Sequence, residues 1–267
     1  MKRLAAAVCV FLVALLSQGC QRPAAGPAIM LRPPAPVTAR RVTVGNSIQA
    51  RPIECVIVGQ GWQVTFIMAA IHGNEPAGTA LLERLVPYLQ QHPALMEGRR
   101  AILLPVANPD GLENQTRHNA SDVDLNRNFP DDNRDNKKIY GEEALSEPEA
   151  VVIDEIITKY APERIVSIHQ FTEVGPQSLS ARLPKGCIDY DGPAKALAKH
   201  MAKYCDLPVD KLGANPGSLG SYAGLDLGIP IITFELPLHA HLLDSDSLWE
   251  KYGEAIVAAV VYPDRVK

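Results

Sequence analysis

The chain has 267 residues, of which 46% are hydrophobic and 21% are charged, and its formal net charge is −4. This is the composition of a globular protein with one sizeable core, and it shows no internal repeat or coiled-coil pattern. A slight acidic excess argues against a nucleic-acid-binding protein, which would carry an excess of lysine and arginine.

The first 20 residues have the features of an export signal. Lys2 and Arg3 precede an apolar run at 4–16 that is too short to span a bilayer comfortably. The next four residues, Ser-Gln-Gly-Cys at 17–20, resemble the cleavage site of a bacterial lipoprotein, with Cys20 as the acylated residue. We therefore expect an exported, periplasmic protein anchored in the membrane through Cys20, with ordinary signal cleavage as the alternative.

Residues 21–43 follow this leader and are rich in proline, alanine and arginine without clear periodicity. Such a composition predicts a semi-extended tether rather than a packed element. The tether is expected to end at 43, and a single folded domain is expected over 44–267.

Apolar strands and amphipathic helices alternate in that domain, which predicts an α/β fold with a mostly parallel central sheet. Strands are predicted at 53–58, 64–70, 101–106, 164–169 and 230–236, and helices at 76–91, 147–160, 193–204 and 247–261. Ser146 and Glu149 have the spacing of a capping box at the start of the second helix. The long polar stretch 108–145 fits no regular element, and loops of that length in compact domains are usually functional.

Two candidate metal ligands, His72 and Glu75, stand where the strand 64–70 gives way to the helix beginning at Pro76. Gly73 between them allows the tight turn that would let an imidazole and a carboxylate converge on one cation. Zinc accepts such a mixed set, with a third ligand from elsewhere and one position left for water. Alone, however, this pair occurs as often in surface or capping roles.

Other polar residues lie where an apolar pattern does not explain them. His169 ends a buried strand, the place where open α/β sheets put their ligand sites, although a histidine there is often only a hydrogen-bonded core residue. Glu235 interrupts an apolar strand end, and a buried carboxylate needs a partner or a role. Asp124, Asn126 and Arg127 cluster in the long polar stretch.

In this order, the motifs resemble the zinc carboxypeptidase family over about residues 44–267. They are His-Gly-Asn-Glu at 72–75, Asn-Pro-Asp-Gly at 108–111, Arg117, Asp-Leu-Asn-Arg-Asn-Phe-Pro at 124–130, His169 and Phe-Glu-Leu at 234–236. The segments 187–194 and 217–222 look most like those of bacterial murein peptide amidases, which cleave between γ-D-glutamate and diaminopimelate. The resemblance implies a three-layer α/β/α sandwich around a mixed, roughly eight-stranded sheet.

The resemblance also implies roles for these residues. His72, Glu75 and His169 correspond to the ligands of one Zn²⁺, Glu235 to the general base, and Arg117 to the guanidinium that stabilises the oxyanion.

Two further roles concern substrate binding and ligand orientation. Asn126 and Arg127 correspond to the pair that grips the free carboxylate of a peptide or muropeptide substrate, and Asp124 to the acceptor that orients His72. The protein is expected to be a monomer or a small homo-oligomer without a nucleic-acid partner.

The sequence departs from the family in one respect and leaves several alternatives open. The region 211–215 lacks the mobile tyrosine of the digestive members, and Tyr222 does not align with it. Cys187 and Cys205 could form a disulfide or stay free thiols. The alternatives to a murein amidase are a general metallocarboxypeptidase, a deacylase related to aspartoacylase and succinylglutamate desuccinylase, and a non-catalytic lipoprotein that binds wall peptides.

Overall fold

Seven strands form one sheet in the computed structural model, which describes residues 36–132, 134–135, 137–172, 183 and 185–263. The strands are β1 (Ala39–Asn46), β2 (Pro52–Gly59), β3 (Gln63–Ala69), β4 (Arg99–Leu104), β5 (Arg164–Gln170), β6 (Cys187–Asp191) and β7 (Ile231–Leu236). Their order in the sheet is β1-β2-β4-β3-β5-β7-β6.

The four central strands β4, β3, β5 and β7 run parallel to one another, whereas β1, β2 and β6 pair antiparallel at the two sides. Every residue of β5 is buried, as expected of a parallel strand covered on both faces. Because parallel strands end at the same edge, the residues that follow β3, β4, β5 and β7 are brought together there.

Helices cover both faces of this sheet. They are α1 (Ala77–Gln91), α2 (Pro109–Asn114), α3 (Pro148–Tyr160), α4 (Lys195–Met201) and α5 (Ser245–Val261). The core on one face contains side chains of α1, α4 and α5, and the core on the other contains side chains of α3 and of the π-helical segment Gly220–Asp226. This confirms the three-layer α/β/α sandwich with a mixed sheet, which has seven strands in the described residues rather than roughly eight.

The first helix shows how the sequence directs this packing. Leu81, Leu82, Leu85 and Leu89 recur at helical spacing, and all four are fully buried against the sheet. Pro76 precedes the helix, where a residue without a backbone N–H leaves no helical hydrogen bond unmade.

The five predicted strands and four predicted helices are all present, with ends that differ by up to three residues. The short strand β6 was not predicted, because the alternating aspartates of Cys-Ile-Asp-Tyr-Asp are atypical of buried strands. The capping box was wrong. Glu147 is the N-cap residue of α3 and makes no side-chain capping bond, while Glu149 accepts hydrogen bonds from Ile48 N and Asn119 Nδ2.

The predicted boundary between tether and domain at 43/44 is also wrong, because the folded part already includes β1. Residues Ala39–Thr43 pair with Glu54–Val58 of β2. Val42 and Val44 pack on the core beneath α3. Alternating apolar residues in this short segment therefore outweigh its high arginine content.

The leader and Cys20 lie outside the described residues. In the part of the chain that the structure describes, Cys55, Cys187 and Cys205 form no disulfide, so the bridge considered between Cys187 and Cys205 is not formed. Within the described ranges, no helix combines the length and the apolar character needed to cross a bilayer.

The revised boundary predicts different stabilities for two shortened chains. A chain starting at residue 36 keeps β1, whereas a chain starting at 44 loses the pairing of residues 39–43 and exposes β2 as an edge strand. Each kcal/mol of lost stability should lower the thermal midpoint by roughly 2–4 °C. Differential scanning calorimetry of both chains measures this, and equal midpoints would show that β1 is dispensable.

Candidate metal centre and catalytic site

The candidate site residues meet at the carboxyl edge of the parallel strands. His72 and Glu75 lie in the loop between β3 and α1, and His169 lies near the end of β5. Glu235 is on the neighbouring strand β7, where it pairs in register with His169. The separate predictions for these four residues therefore converge on one place.

His72, Glu75 and His169 form a compact group whose ligand atoms all lie within 4.8 Å of one another. The Nδ1 atom of His72 is 2.8 Å from one carboxylate oxygen of Glu75, and the Nδ1 atom of His169 is 2.9 Å from the other. All three side chains are buried. Two imidazoles and a carboxylate in this arrangement are a donor set that zinc commonly takes.

The far nitrogens of both imidazoles are held by neighbouring side chains. His72 Nε2 lies 3.0 Å from Asp124 Oδ1, and His169 Nε2 lies 3.0 Å from Ser167 Oγ. With a proton held on each Nε2, the Nδ1 atoms that face Glu75 would be the ones to bind a metal, which is how oriented histidines serve a metal. The three side chains therefore fit a zinc ion. Ser167, which holds His169, was not predicted from the sequence, because a serine inside a strand carries no signal.

Attraction between the side chains of this group favours the charged forms of Glu75 and His72. Burial alone would raise the pKa of Glu75, but attraction to His72 and His169 outweighs burial and holds that pKa well below its usual range. Burial would lower the pKa of His72, yet attraction to Glu75 raises it. The carboxylate is therefore ionised and needs positive charge beside it.

A tight contact with α2 fixes the loop that carries His72 and Glu75. A Cβ atom added to Gly73 would lie 1.9 Å from the backbone carbon of Gly111, so only glycine fits there. The backbone N–H of Gly111 donates to Asn108 Oδ1, which caps α2, and Asn108 N donates to Ala70 O at the end of β3. The Asn-Pro-Asp-Gly motif thus supports the metal loop.

Asp110 of the same motif has a structural role. It is fully buried, and its carboxylate accepts hydrogen bonds from Ser47 Oγ, Gln49 N and Arg51 Nη1. These bonds attach α2 to the hairpin between β1 and β2.

Glu235 faces a cavity of about 430 Å³ that also contains the three candidate ligands. Burial raises the pKa of Glu235 to about 7, and the carboxylates of Glu75 and Asp189 add to this, while His169 opposes it. A carboxyl group that exchanges a proton near neutrality suits a general base.

Arg117 lies beside the candidate ligand Glu75. Its Nε and Nη2 atoms donate to Asp124 Oδ2 at 3.1 and 3.0 Å, and its Nη1 atom is 3.3 Å from Glu75 Oε1. The guanidinium therefore adds positive charge at the wall of the cavity and helps to fix Asp124.

Asn126 and Arg127 line the cavity from a short 3₁₀ turn, Leu125–Arg127. The Oδ1 atom of Asn126 accepts a hydrogen bond from Leu219 N, which leaves its amide N–H groups available. Arg127 Nη1 donates to the backbone carbonyl of Asn126, and none of the described carboxylates forms an ion pair with this guanidinium. The pair is therefore placed to receive an anionic group.

The structure adds lining residues that the sequence analysis did not single out, among them Gln170, Asp189, Asp191 and Thr233. Tyr222 is not one of them. Its hydroxyl donates to Asp154 Oδ1 at 2.5 Å and its ring stacks on Phe129, so it does not take the place of a mobile tyrosine over the site.

The raised pKa of Glu235 predicts how the variant Glu235→Gln changes stability in metal-free protein. The folded protein keeps a proton to about pH 7, whereas an ordinary glutamate releases it near 4.5, so wild-type stability falls as pH rises between these values. Glutamine carries no such proton. The variant should therefore exceed the wild type in unfolding free energy by about 1–3 kcal/mol at pH 8 and match it at pH 4.

Urea denaturation with a chelator present measures this difference. Glu250→Gln, at an exposed position of α5, is the matched control and should show no such pH-dependent gain. A variant no more stable than the wild type at pH 8 would contradict the assigned environment of Glu235.

The chain is similar in sequence to proteins of known activity. A family model described as zinc carboxypeptidase matches residues 31–206. Murein peptide amidase A of Escherichia coli (strain K12) is 31% identical over 208 residues, which are 70% of this chain and 74% of that protein. Murein peptide amidase A of Vibrio campbellii is 31% identical over 217 residues, which are 74% and 78% of the two chains.

Solved structures show the same fold. The murein-tripeptide amidase of Escherichia coli O157 superposes with a TM-score of 0.64 and 26% identity, and the match covers 84% of this chain and 93% of that one. Carboxypeptidase A of Helicoverpa armigera superposes with a TM-score of 0.68 at 21% identity over 84% and 69% of the chains. With the metal centre and the sequence match in agreement, the protein belongs to the zinc carboxypeptidase family and is a hydrolase.

Proposed function

We propose that the protein is a zinc-dependent amidase that hydrolyses the bond between γ-D-glutamate and diaminopimelate in murein peptides. The observation that carries the proposal is the group of His72, Glu75 and His169 beside Glu235 in one cavity. The similarity to murein peptide amidases of two bacterial species supports the choice of substrate.

His72, Glu75 and His169 would hold a zinc ion, which would supply Lewis-acid activation of water and of the scissile carbonyl. Glu235 takes the proton from the attacking water and delivers it to the leaving amine, a task that suits a carboxylate with a pKa of about 7. Ser167 and Asp124 keep the two imidazoles in the tautomer that binds the metal.

Two arginines bind the negative charges of the substrate and of the transition state. Arg127 and Asn126 hold the free carboxylate of the leaving amino acid, because a planar guanidinium can form two parallel hydrogen bonds to a carboxylate. Arg117 lies next to Glu75 and donates to the oxyanion that develops on the scissile carbonyl.

The protein acts outside the cytoplasm on this proposal. The basic residues and short apolar run of 1–16 support export, and the segment 17–20 supports a lipid on Cys20. Metabolic labelling with a fatty-acid analogue tests this. The wild type should incorporate label and fractionate with membranes, Cys20→Ala should do neither, and labelling of both would contradict the assignment.

The catalytic proposal is tested by mass spectrometry of products from zinc-loaded protein. The substrate L-Ala-γ-D-Glu-meso-diaminopimelate should yield free diaminopimelate and the dipeptide. A chelator should abolish the reaction and added zinc restore it. Glu235→Gln should bind zinc normally and lose activity by at least about 10²-fold.

Two sets of control substrates separate the alternatives. Acetyl-aspartate and succinyl-glutamate test for a deacylase, and benzoylglycyl peptides with ordinary C-terminal residues test for a general carboxypeptidase. Faster turnover of either set than of the muropeptide would contradict the proposed substrate. Tight binding of muropeptides without turnover by zinc-loaded protein would indicate a non-catalytic binding protein.

A further inference from the structure

The edge of the sheet opposite the catalytic cavity exposes a tryptophan. The candidate ligands lie at the carboxyl ends of the parallel strands, whereas Trp62 lies immediately before β3, at the amino ends. It is 75% exposed, the largest exposed fraction among the large apolar residues that the structure describes. Tryptophan is highly buried on average in folded proteins, so this indole is a candidate contact point for a partner.

The turn that carries Trp62 is fixed by contacts with the turn before β4. Gly61 N donates to Arg99 O at 3.0 Å, and Gln63 N donates to Gly98 O at 3.1 Å. A Cβ atom added to Gly61 would lie 1.9 Å from the backbone carbon of Gly98, so the two turns are in direct contact. The indole is therefore presented on a rigid support, and its exposure is a fixed feature of this surface.

Two leucines add exposed apolar surface along the same edge. Leu225 and Leu227 are 58% and 47% exposed, and both precede β7 at its amino end. Because β3, β5 and β7 are successive strands of the sheet, the starts of β3 and β7 are about 10 Å apart. Trp62, Leu225 and Leu227 are called the amino-edge patch below.

The chain that follows the candidate lipid attachment site enters the domain at this edge. Thr38 O accepts a hydrogen bond from Gly59 N at 2.9 Å, and Thr38 Oγ1 accepts one from Gln60 Nε2 at 3.4 Å, in the turn before β3. Residues 21–35, which separate Cys20 from the first described residue, could reach at most about 50 Å if fully extended. A bilayer that holds Cys20 is therefore within reach of the amino-edge patch.

The chemistry of the patch suits the boundary of a bilayer more than a strongly charged partner. Arg100, whose Nη2 atom donates to Gln60 O, is balanced by Glu97 in the adjacent turn. Tryptophan is the side chain that prefers the level of the lipid headgroups, where its ring is partly apolar and its N–H stays hydrated. Contact would therefore depend on the indole rather than on an excess of positive charge.

We propose that the amino-edge patch contacts the phospholipid bilayer that anchors the chain, with Trp62 at the level of the headgroups. The seven residues of β3 run from this edge towards the metal centre and span about 20 Å. The catalytic cavity then faces away from the membrane. This inference concerns the placement of the enzyme and does not depend on which bond it hydrolyses.

Fluorescence of a single-tryptophan protein on vesicles tests the contact. The chain starting at Cys20 carries Trp249→Phe, which leaves Trp62 as its only tryptophan, and Cys205→Ser, which removes a partly exposed thiol. Cys20 is coupled to a maleimide lipid in vesicles of phosphatidylethanolamine and phosphatidylglycerol. The anchor is therefore present whether or not a cell attaches a lipid to Cys20.

The emission of Trp62 should shift to the blue on these vesicles. It should also fall by at least about half when the acyl chains carry bromine close to the headgroups, because an interfacial indole lies at that depth. The matched control combines Leu242→Trp with Trp62→Phe and Trp249→Phe on the same tether. Position 242 is 73% exposed and follows β7 at the carboxyl edge, so its indole should keep nearly all of its emission.

Equal quenching at the two positions, or no quenching of Trp62, would overturn the proposal. A blue shift of Trp62 without bromine quenching would place the indole against a second copy of the chain and would overturn it as well. Thermal denaturation shows whether each variant is folded. If Trp249→Phe does not fold, the quenching lost between a chain with both tryptophans and its Trp62→Phe variant makes the same comparison.

Discussion

The buried carboxylate of Glu75 is the constraint on which the rest of the site depends. Each of its oxygens lies within 2.9 Å of an imidazole nitrogen, and Arg117 approaches from the cavity side. A buried carboxylate is stable only with compensating positive charge, so the surrounding groups are arranged to supply it. A divalent ion at the same place satisfies the carboxylate and also takes the two imidazole lone pairs, which is the chemistry that a zinc hydrolase needs.

The scaffold keeps this group rigid through contacts that reach well beyond it. Asp124 and Ser167 fix the two imidazoles, and the close approach of Gly73 to Gly111 fixes the loop between β3 and α1. The contacts with Asp124 and Gly111 join the loop after β3 to the chain that follows β4, and the contact with Ser167 lies within β5. Catalytic geometry is therefore set by the sheet itself, which explains why ligands far apart in sequence meet at one edge.

The sequence predicts the metal centre better than it predicts the other residues that line the cavity. His72, Glu75, His169 and Glu235 are polar residues at the ends of apolar strands, and that contrast is visible without coordinates. Asp189 was not identified from the sequence because β6 alternates acidic and apolar residues. That pattern resembles an exposed turn until the pairing of β6 with β7 is known. The strand β1 was not predicted because its segment is rich in arginine and proline. Ser167 was not predicted because a serine inside an apolar strand carries no signal. The positions of Asp189 and Ser167 are decided by the pairing of strands far apart in sequence, and that of β1 by its pairing with β2. Local propensity carries no information about such pairing.

The central claim is that one metal ion binds to His72, Glu75 and His169 through the two Nδ1 atoms and the carboxylate. Anomalous diffraction at the zinc edge, from crystals of the folded domain soaked with zinc, measures this directly. The account predicts a single strong peak between these three side chains, with Asp124 and Ser167 still bonded to the Nε2 atoms. A peak elsewhere, ligation through Nε2, or no peak at saturating zinc would contradict it.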